Sequence, residues 1–153
     1  MNFENNNEIF MRVAIAAAET AGRMDEVPIG ACLVSAAGDV LAVAGNRTIT
    51  NLDPTAHAEI LALRSAAARL SNYRLTGTVM YSTVEPCAMC AGALVNARVT
   101  RLIFGAADER FGAVRTRFRL CDSDLLNHQV EIVSGVLEDE CRRLMQNFFR
   151  ARR

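Results

Sequence analysis

No lysine occurs anywhere in the 153 residues. All 17 basic residues are arginine, and 17 acids balance them to a formal net charge of zero. A chain without bulk positive charge has no general attraction for polyanions, so any nucleic-acid contact must come from local placement of arginine. Hydrophobic residues make up 51% of the chain, yet no apolar run approaches the roughly 20 residues of a membrane span. The start, Met1 to Glu8, has no basic region followed by an apolar stretch and does not resemble a secretory signal, so a cytoplasmic protein without a membrane partner is expected. The 5 cysteines, odd in number and unevenly spaced, fit a reducing compartment better than a disulfide framework. Neither an internal repeat nor a long linker divides the sequence. Residues 1–153 are expected to form one domain, long enough to bury a real core.

What is present is uneven. Five of the arginines fall between Cys141 and Arg153, a segment without an acid. Arginine binds phosphate bidentately and stacks on bases, so this tail suits RNA. Arginine-only usage can also reflect genome composition, and a basic helix end complements its own dipole.

The richest stretch is Glu85-Pro86-Cys87-Ala88-Met89-Cys90. Pro86 has a fixed φ and no N–H, which suits the first turn of a helix. Cys87 and Cys90 then lie about one turn apart on one face, where the positive end of the helix dipole favours thiolate over thiol. A redox pair or two buried helix cysteines would also fit that spacing. The decisive addition is His57 in Thr55-Ala56-His57-Ala58-Glu59, which supplies a third ligand. A structural zinc takes four protein ligands, and no fourth is well placed. His128 is far along the chain, and Cys32, Cys121 and Cys141 sit singly on apolar segments as core residues do. Three ligands with an open position imply catalytic Zn²⁺. Two thiolates and a neutral imidazole leave that site near zero charge, so it acidifies water less than an all-histidine site and needs a local base. Glu59 is the candidate. The pattern His-x-Glu, a gap and Pro-Cys-x-x-Cys resembles the signature of the zinc nucleobase deaminases, which implies hydroxide attack on C6 of adenine or C4 of cytosine.

Hydrophobic spacing gives the frame. Asn5 to Asn7 can cap a helix from about Glu8 to Arg23, on which Phe10, Val13, Ala14 and Ala17 recur at helical period. Ala31–Ser35 and Val40–Gly45 read as a hairpin about Gly38-Asp39. A helix capped by Asp53 or Thr55 would hold His57 and Glu59 in its first turns, facing away from the sheet. Thr78–Thr83 is a third strand, Cys87 to about Asn96 a helix, and Arg101–Gly105 a fourth strand parallel to the third. Ala106 to Arg119 has no period. Leu120–Leu126 reads as a short helix, Val130–Val133 as a fifth strand, and about 137–153 as a basic helix burying Cys141, Leu144, Met145 and Phe148. The expected fold is α/β, a three-layer α/β/α sandwich on one mixed five-stranded sheet.

With these residues in view, the sequence resembles the bacterial tRNA-specific adenosine deaminases, which convert the wobble adenosine of an arginine tRNA anticodon to inosine. The zinc signature is shared with cytosine, guanine and cytidine deaminases. Narrower signals are Asn72-Tyr73-Arg74-Leu75 and the ending Phe148-Phe149-Arg150-Ala151-Arg152-Arg153. The resemblance implies a cytidine deaminase-like fold, one Zn²⁺ per subunit on His57, Cys87 and Cys90, and Glu59 as proton shuttle. It also implies a homodimer whose site both subunits complete, acting on a tRNA anticodon stem-loop. By position, Asn46 matches a pocket asparagine that hydrogen-bonds the flipped base, and Asp108 an acid that accepts from a ribose 2′-OH. Phe148, Phe149, Arg152 and Arg153 would stack on bases and hold phosphates. One segment departs from the family pattern: Gly112-Ala113-Val114-Arg115-Thr116-Arg117-Phe118 stands where a small Gly-Ser pair is usual, which leaves open a stronger grip on RNA or a different substrate. Two rivals remain at this level, a deaminase of a free base or nucleoside of the guanine or cytosine type, and a zinc-stabilised RNA-binding module, against which Glu59 argues.

Overall fold

The computed structural model describes residues 3–152. Its elements are α1 (Phe3–Arg23), β1 (Gly30–Val34), β2 (Val40–Gly45), α2 (Ala58–Leu70), β3 (Val79–Val84), α3 (Ala88–Asn96), β4 (Arg101–Ala106), β5 (Glu131–Ser134) and α4 (Glu138–Arg150). The five strands form one sheet in the order β2-β1-β3-β4-β5. β1 runs antiparallel to both β2 and β3, whereas β3, β4 and β5 are mutually parallel.

Alternation along the strands divides the core in two. Cys32, Val34, Tyr81 and Ile103 meet Met11, Ala14 and Ile15 of α1 and Cys141 of α4 on one face. Leu33, Met80, Leu102 and Phe104 meet Ala62 and Leu63 of α2 and Leu94 of α3 on the other. The result is the expected α/β/α sandwich on a mixed sheet. Gly30 pairs with Gly45, Ala31 with Ser82, and Val84 with Ala106. The end of β2, the start of β1 and the ends of β3 and β4 therefore share one edge, the edge at which α/β sheets bind ligands. α1 lies tight on that corner, because a Cβ on Gly45 would stand 2.7 Å from the carbonyl oxygen of Ala17. This contact fixes the backbone that continues into Asn46.

Three expected elements differ. α1 starts at Phe3, so Asn5 to Asn7 lie within it rather than capping it, and Asn7 Oδ1 accepts a hydrogen bond from the Tyr81 hydroxyl (3.0 Å). Leu120–Leu126 is irregular instead of helical. Leu125 is 90% exposed, so there is no apolar face for a helix to bury, and Val130 N–H to Cys121 O (2.7 Å) ties the segment down instead. On α4 only Cys141 is fully buried; Leu144, Met145 and Phe148 are half-buried. No helix among the described residues is long and apolar enough to cross a membrane.

Candidate metal centre and cavity

Two helices begin at a candidate ligand. His57 is the N-cap of α2 and Cys87 the N-cap of α3, both with extended backbone and neither with a side-chain capping bond. Their carbonyls accept the first helical hydrogen bonds, from Leu61 N–H (3.0 Å) and Ala91 N–H (2.8 Å). Pro86 therefore precedes the cap rather than occupying the first turn. With Cys87 outside the helix and Cys90 inside it, both sulfurs reach the same imidazole: His57 Nδ1 is 3.6 Å from Cys87 Sγ and 3.5 Å from Cys90 Sγ. The three donor atoms all lie within 4.8 Å of one another. Tetrahedral coordination with Zn–S of about 2.3 Å and Zn–N of about 2.05 Å requires an N···S separation of about 3.6 Å. The donor set fits such an ion in spacing as well as in chemistry, and this cluster can hold a metal.

The electrostatics agree. A hydrogen bond from Cys90, opposed by burial and helped by His57, brings the Cys87 thiol down to about 4. The same Cys87–Cys90 bond, with burial, pushes Cys90 up, and the Cys87 contact raises His57. Two sulfurs and a ring nitrogen thus share protons that a divalent cation would replace. The positive ends of two helix dipoles add to the preference for negative sulfur. By contrast burial pushes Cys32 up to about 11, and Cys121 and Cys141 up to about 12, as expected of unreactive core thiols.

Glu59 does not face away from the sheet. It is 3% exposed, and its Oε1 lies 3.4 Å from the Ser82 hydroxyl on β3, which also donates to Val84 O (2.7 Å). At helical spacing Glu59 falls on the inward stripe it shares with Ala62, Leu63 and Ala66. Burial raises its pKa above the ordinary carboxylate value, as desolvation does for any enclosed acid.

A cavity of about 860 Å³ opens over these groups. His57, Glu59 and Cys87 form its floor, Asn46 and Thr48 one wall, and Asp108, Arg110 and Phe111 another, with Phe149 and Arg152 contributed by the C-terminal segment. Of the residues expected to meet RNA, Asn46, Asp108, Phe149 and Arg152 thus border one space. Arg153 lies outside the described residues. Phe148 serves differently: the Arg152 guanidinium lies 3.5 Å from its ring centroid, and its ring meets Phe149 edge-on. Arg152 also pairs with Asp25 Oδ1 at 2.8 Å.

Sequence reasoning missed two carboxylates that shape the walls. Glu26, with no exposed surface, accepts from Ile49 N–H (3.2 Å), Thr50 N–H (2.7 Å) and the Thr50 hydroxyl (2.7 Å), folding the loop between Asn46 and His57. Glu85, 2% exposed, does the same for the loop after β4. Each stands at the sheet edge close to a proline, as Glu26-Val27-Pro28 and Glu85-Pro86. That adjacency was the available signal, since an acid bordering an apolar strand has to find donors. Only the start of the departing segment enters the core: Ala113 and Val114 are fully buried, while Arg115 to Phe118 are exposed, Arg115 and Arg117 donating to the carbonyls of Ile132 (3.4 Å) and Glu109 (2.7 Å).

Comparison with known proteins agrees with this chemistry. Residues 5–153 match the MafB19-like deaminase family. The tRNA-specific adenosine deaminase of Haemophilus influenzae is 45% identical over 147 residues, 96% of this chain and 85% of that protein. The Bacillus subtilis protein of the same name is 44% identical over 144 residues, 94% of this chain and 89% of its own. A solved structure from work on A-to-I editing by tRNA deaminases at the wobble position of transfer RNA superposes with a TM-score of 0.85 at 44% identity, covering 88% of this chain and 97% of that one. Guanine deaminase from Nitrosomonas europaea, at 24% identity and a TM-score of 0.81 over 92% of this chain and 83% of its own, shares the fold. The chain belongs to the MafB19-like deaminases and to the family of tRNA-specific adenosine deaminases.

Proposed function

We propose that this protein is a zinc-dependent hydrolase that deaminates the wobble adenosine of a tRNA anticodon stem-loop, that of an arginine tRNA, to inosine. The observation that carries the reading is the meeting, in one cavity, of a three-donor metal cluster, a buried carboxylate, and an aromatic and an arginine from the C-terminal segment. His57, Cys87 and Cys90 would hold Zn²⁺, which when bound supplies Lewis acidity to a water. Glu59 takes a proton from the attacking water and delivers it to N1 of the purine. The water oxygen bonds to C6, the C6–N6 bond breaks, and ammonia leaves with a proton handed on by Glu59. A carboxyl whose pKa is raised by burial suits this work, because it holds a proton more readily than an exposed acid and can hand it on.

The remaining assignments follow by chemistry. The Asn46 amide, able to donate and accept, is suited to the edge of the flipped base. Asp108 can accept from a ribose 2′-OH, Phe149 offers a stacking face, and Arg152 can exchange Asp25 for a phosphate. The functional unit is a cytoplasmic homodimer. In support, a shallow groove along α2 and α3, lined by Ile60, Leu63, Ala67, Ala93 and Ala97 together with Arg64, Tyr73 and Asn96, is mostly apolar and offers a face to a second copy.

The test is to incubate zinc-loaded protein separately with an arginine tRNA anticodon stem-loop, free guanine and free cytosine, reading inosine and ammonia. Inosine in the RNA with matching ammonia is expected. Ammonia from a free base without inosine in the RNA would favour the free-base deaminase, and neither product would favour a binding module.

A further inference from the structure

The segment between β4 and β5 carries Asp108, Arg110 and Phe111 to the cavity, yet it has no regular secondary structure to hold them. Phe111 is 67% exposed, so its own packing does not fix it either. What organises the segment is one buried side chain at the end of β3. Glu85 Oε1 accepts from Asp108 N–H (3.2 Å) and the Thr116 hydroxyl (2.5 Å). Its Oε2 accepts from the successive amides of Val114 (3.1 Å), Arg115 (2.8 Å) and Thr116 (3.0 Å). Five donors more than fill the roughly four lone-pair sites of the carboxylate, three amides sharing Oε2.

The neighbouring geometry is built to the same template. Ala113 N–H donates to Pro86 O at 2.9 Å, and a Cβ on Gly112 would stand 2.5 Å from the Glu85 carboxyl carbon. The residues that face the cavity therefore sit on a span tied to one carboxylate at both ends, at Asp108 and at Val114 to Thr116. Charge-assisted bonds of this kind are about twice as strong as neutral ones, and a loop so tied presents its side chains in a fixed register.

We propose that Glu85 is a positioning residue for the nucleic acid: its carboxylate is the template on which residues 108–116 fold, and through them it sets where the RNA backbone beside the target base is held. The inference rests on the RNA reading of the cavity. Glu85 sends its bonds to its own loop, so its removal acts on substrate placement before chemistry.

The experiment compares wild type, Glu85→Gln and Gly112→Ala, all zinc-loaded, on the anticodon stem-loop, with amide hydrogen exchange and zinc content on the same samples. In Glu85→Gln an NH₂ group faces N–H donors; in Gly112→Ala the new methyl forces the loop off an intact Glu85. Both variants should raise KM for the RNA about tenfold, leave kcat within about threefold, keep their zinc, and lose protection at the amides of Val114, Arg115 and Thr116. Gly112→Ala is remote in sequence from Cys87 and keeps the test sound where Glu85→Gln disturbs folding. Unchanged KM and unchanged protection in both variants, or a fall in kcat accompanied by zinc loss at constant KM, overturns the positioning role. A wild-type protein that makes no inosine overturns the RNA reading itself, a result distinct from either.

Discussion

Replacing Glu26 by glutamine probes the loop that carries the other wall of the cavity. The wild-type carboxylate, enclosed beneath the loop that joins Asn46 to His57, accepts two short bonds from Thr50 and a longer one from Ile49. Burial alone would raise its pKa, but the bonds from Thr50 and Ile49 outweigh burial and hold it below the ordinary value of 4.5. Glutamine keeps the shape and one acceptor oxygen. The cheapest arrangement leaves that oxygen on the two Thr50 donors and turns the NH₂ group toward Ile49 N–H, so one charge-assisted bond is lost and two donors face each other. A hydrogen bond to a charged group contributes about 1.5–3 kcal/mol, which sets the expected loss near 2 kcal/mol. For a domain of this size that corresponds to roughly 4–8 °C in Tm. The pH dependence gives the sharper check. An acid whose folded pKa lies below its unfolded value stabilises fully above the unfolded pKa and loses that contribution as pH falls through the folded one. The stability gap between wild type and Glu26→Gln should be constant near neutrality and close progressively below pH 4.5. Urea denaturation across that range measures it. A gap unchanged down to pH 3, or a variant as stable as wild type at pH 7, would refute the assigned role.

Three further outcomes follow from the site. Glu59→Gln should retain its zinc and lose deamination by about a thousandfold or more, since one group serves several proton transfers each worth about 10²–10⁴; single-turnover inosine formation with metal analysis checks it, and activity above a few per cent of wild type removes Glu59 from the mechanism. Cys87→Ser, Cys90→Ser and His57→Ala should each bind less than stoichiometric zinc, and chelation of the wild type should abolish activity until zinc is restored. Arg152→Ala should raise KM for the RNA at unchanged kcat and flatten the salt dependence of binding by about one unit of log–log slope, as loss of a single phosphate contact does.

How much of this was legible beforehand divides along physical lines. β1 and β2 could be read because short apolar runs flank the turn signal Gly38-Asp39, as buried strands of a hairpin do. The three side chains that can hold a metal were legible because residue type and spacing at two helix starts match a ligand set directly. The inward direction of Glu59 was not, because a charged residue reads as solvent-facing and the stripe it belongs to, with Ala62, Leu63 and Ala66, is built mostly of alanines, which mark a face weakly. Glu26 and Glu85 were hidden for a different reason: their partners are backbone amides, mostly at positions 23 to 31 residues away, and an amide carries no sequence signature. Leu120–Leu126 misled because an apolar cluster resembles a helix face whether or not something covers it.

Running the reaction in ¹⁸O-labelled water tests the central claim most directly. Hydrolytic attack at C6 by a solvent oxygen requires one ¹⁸O atom in the purine at the wobble position and none elsewhere in the anticodon stem-loop. Inosine without the label, or label released only in a free base, would contradict it.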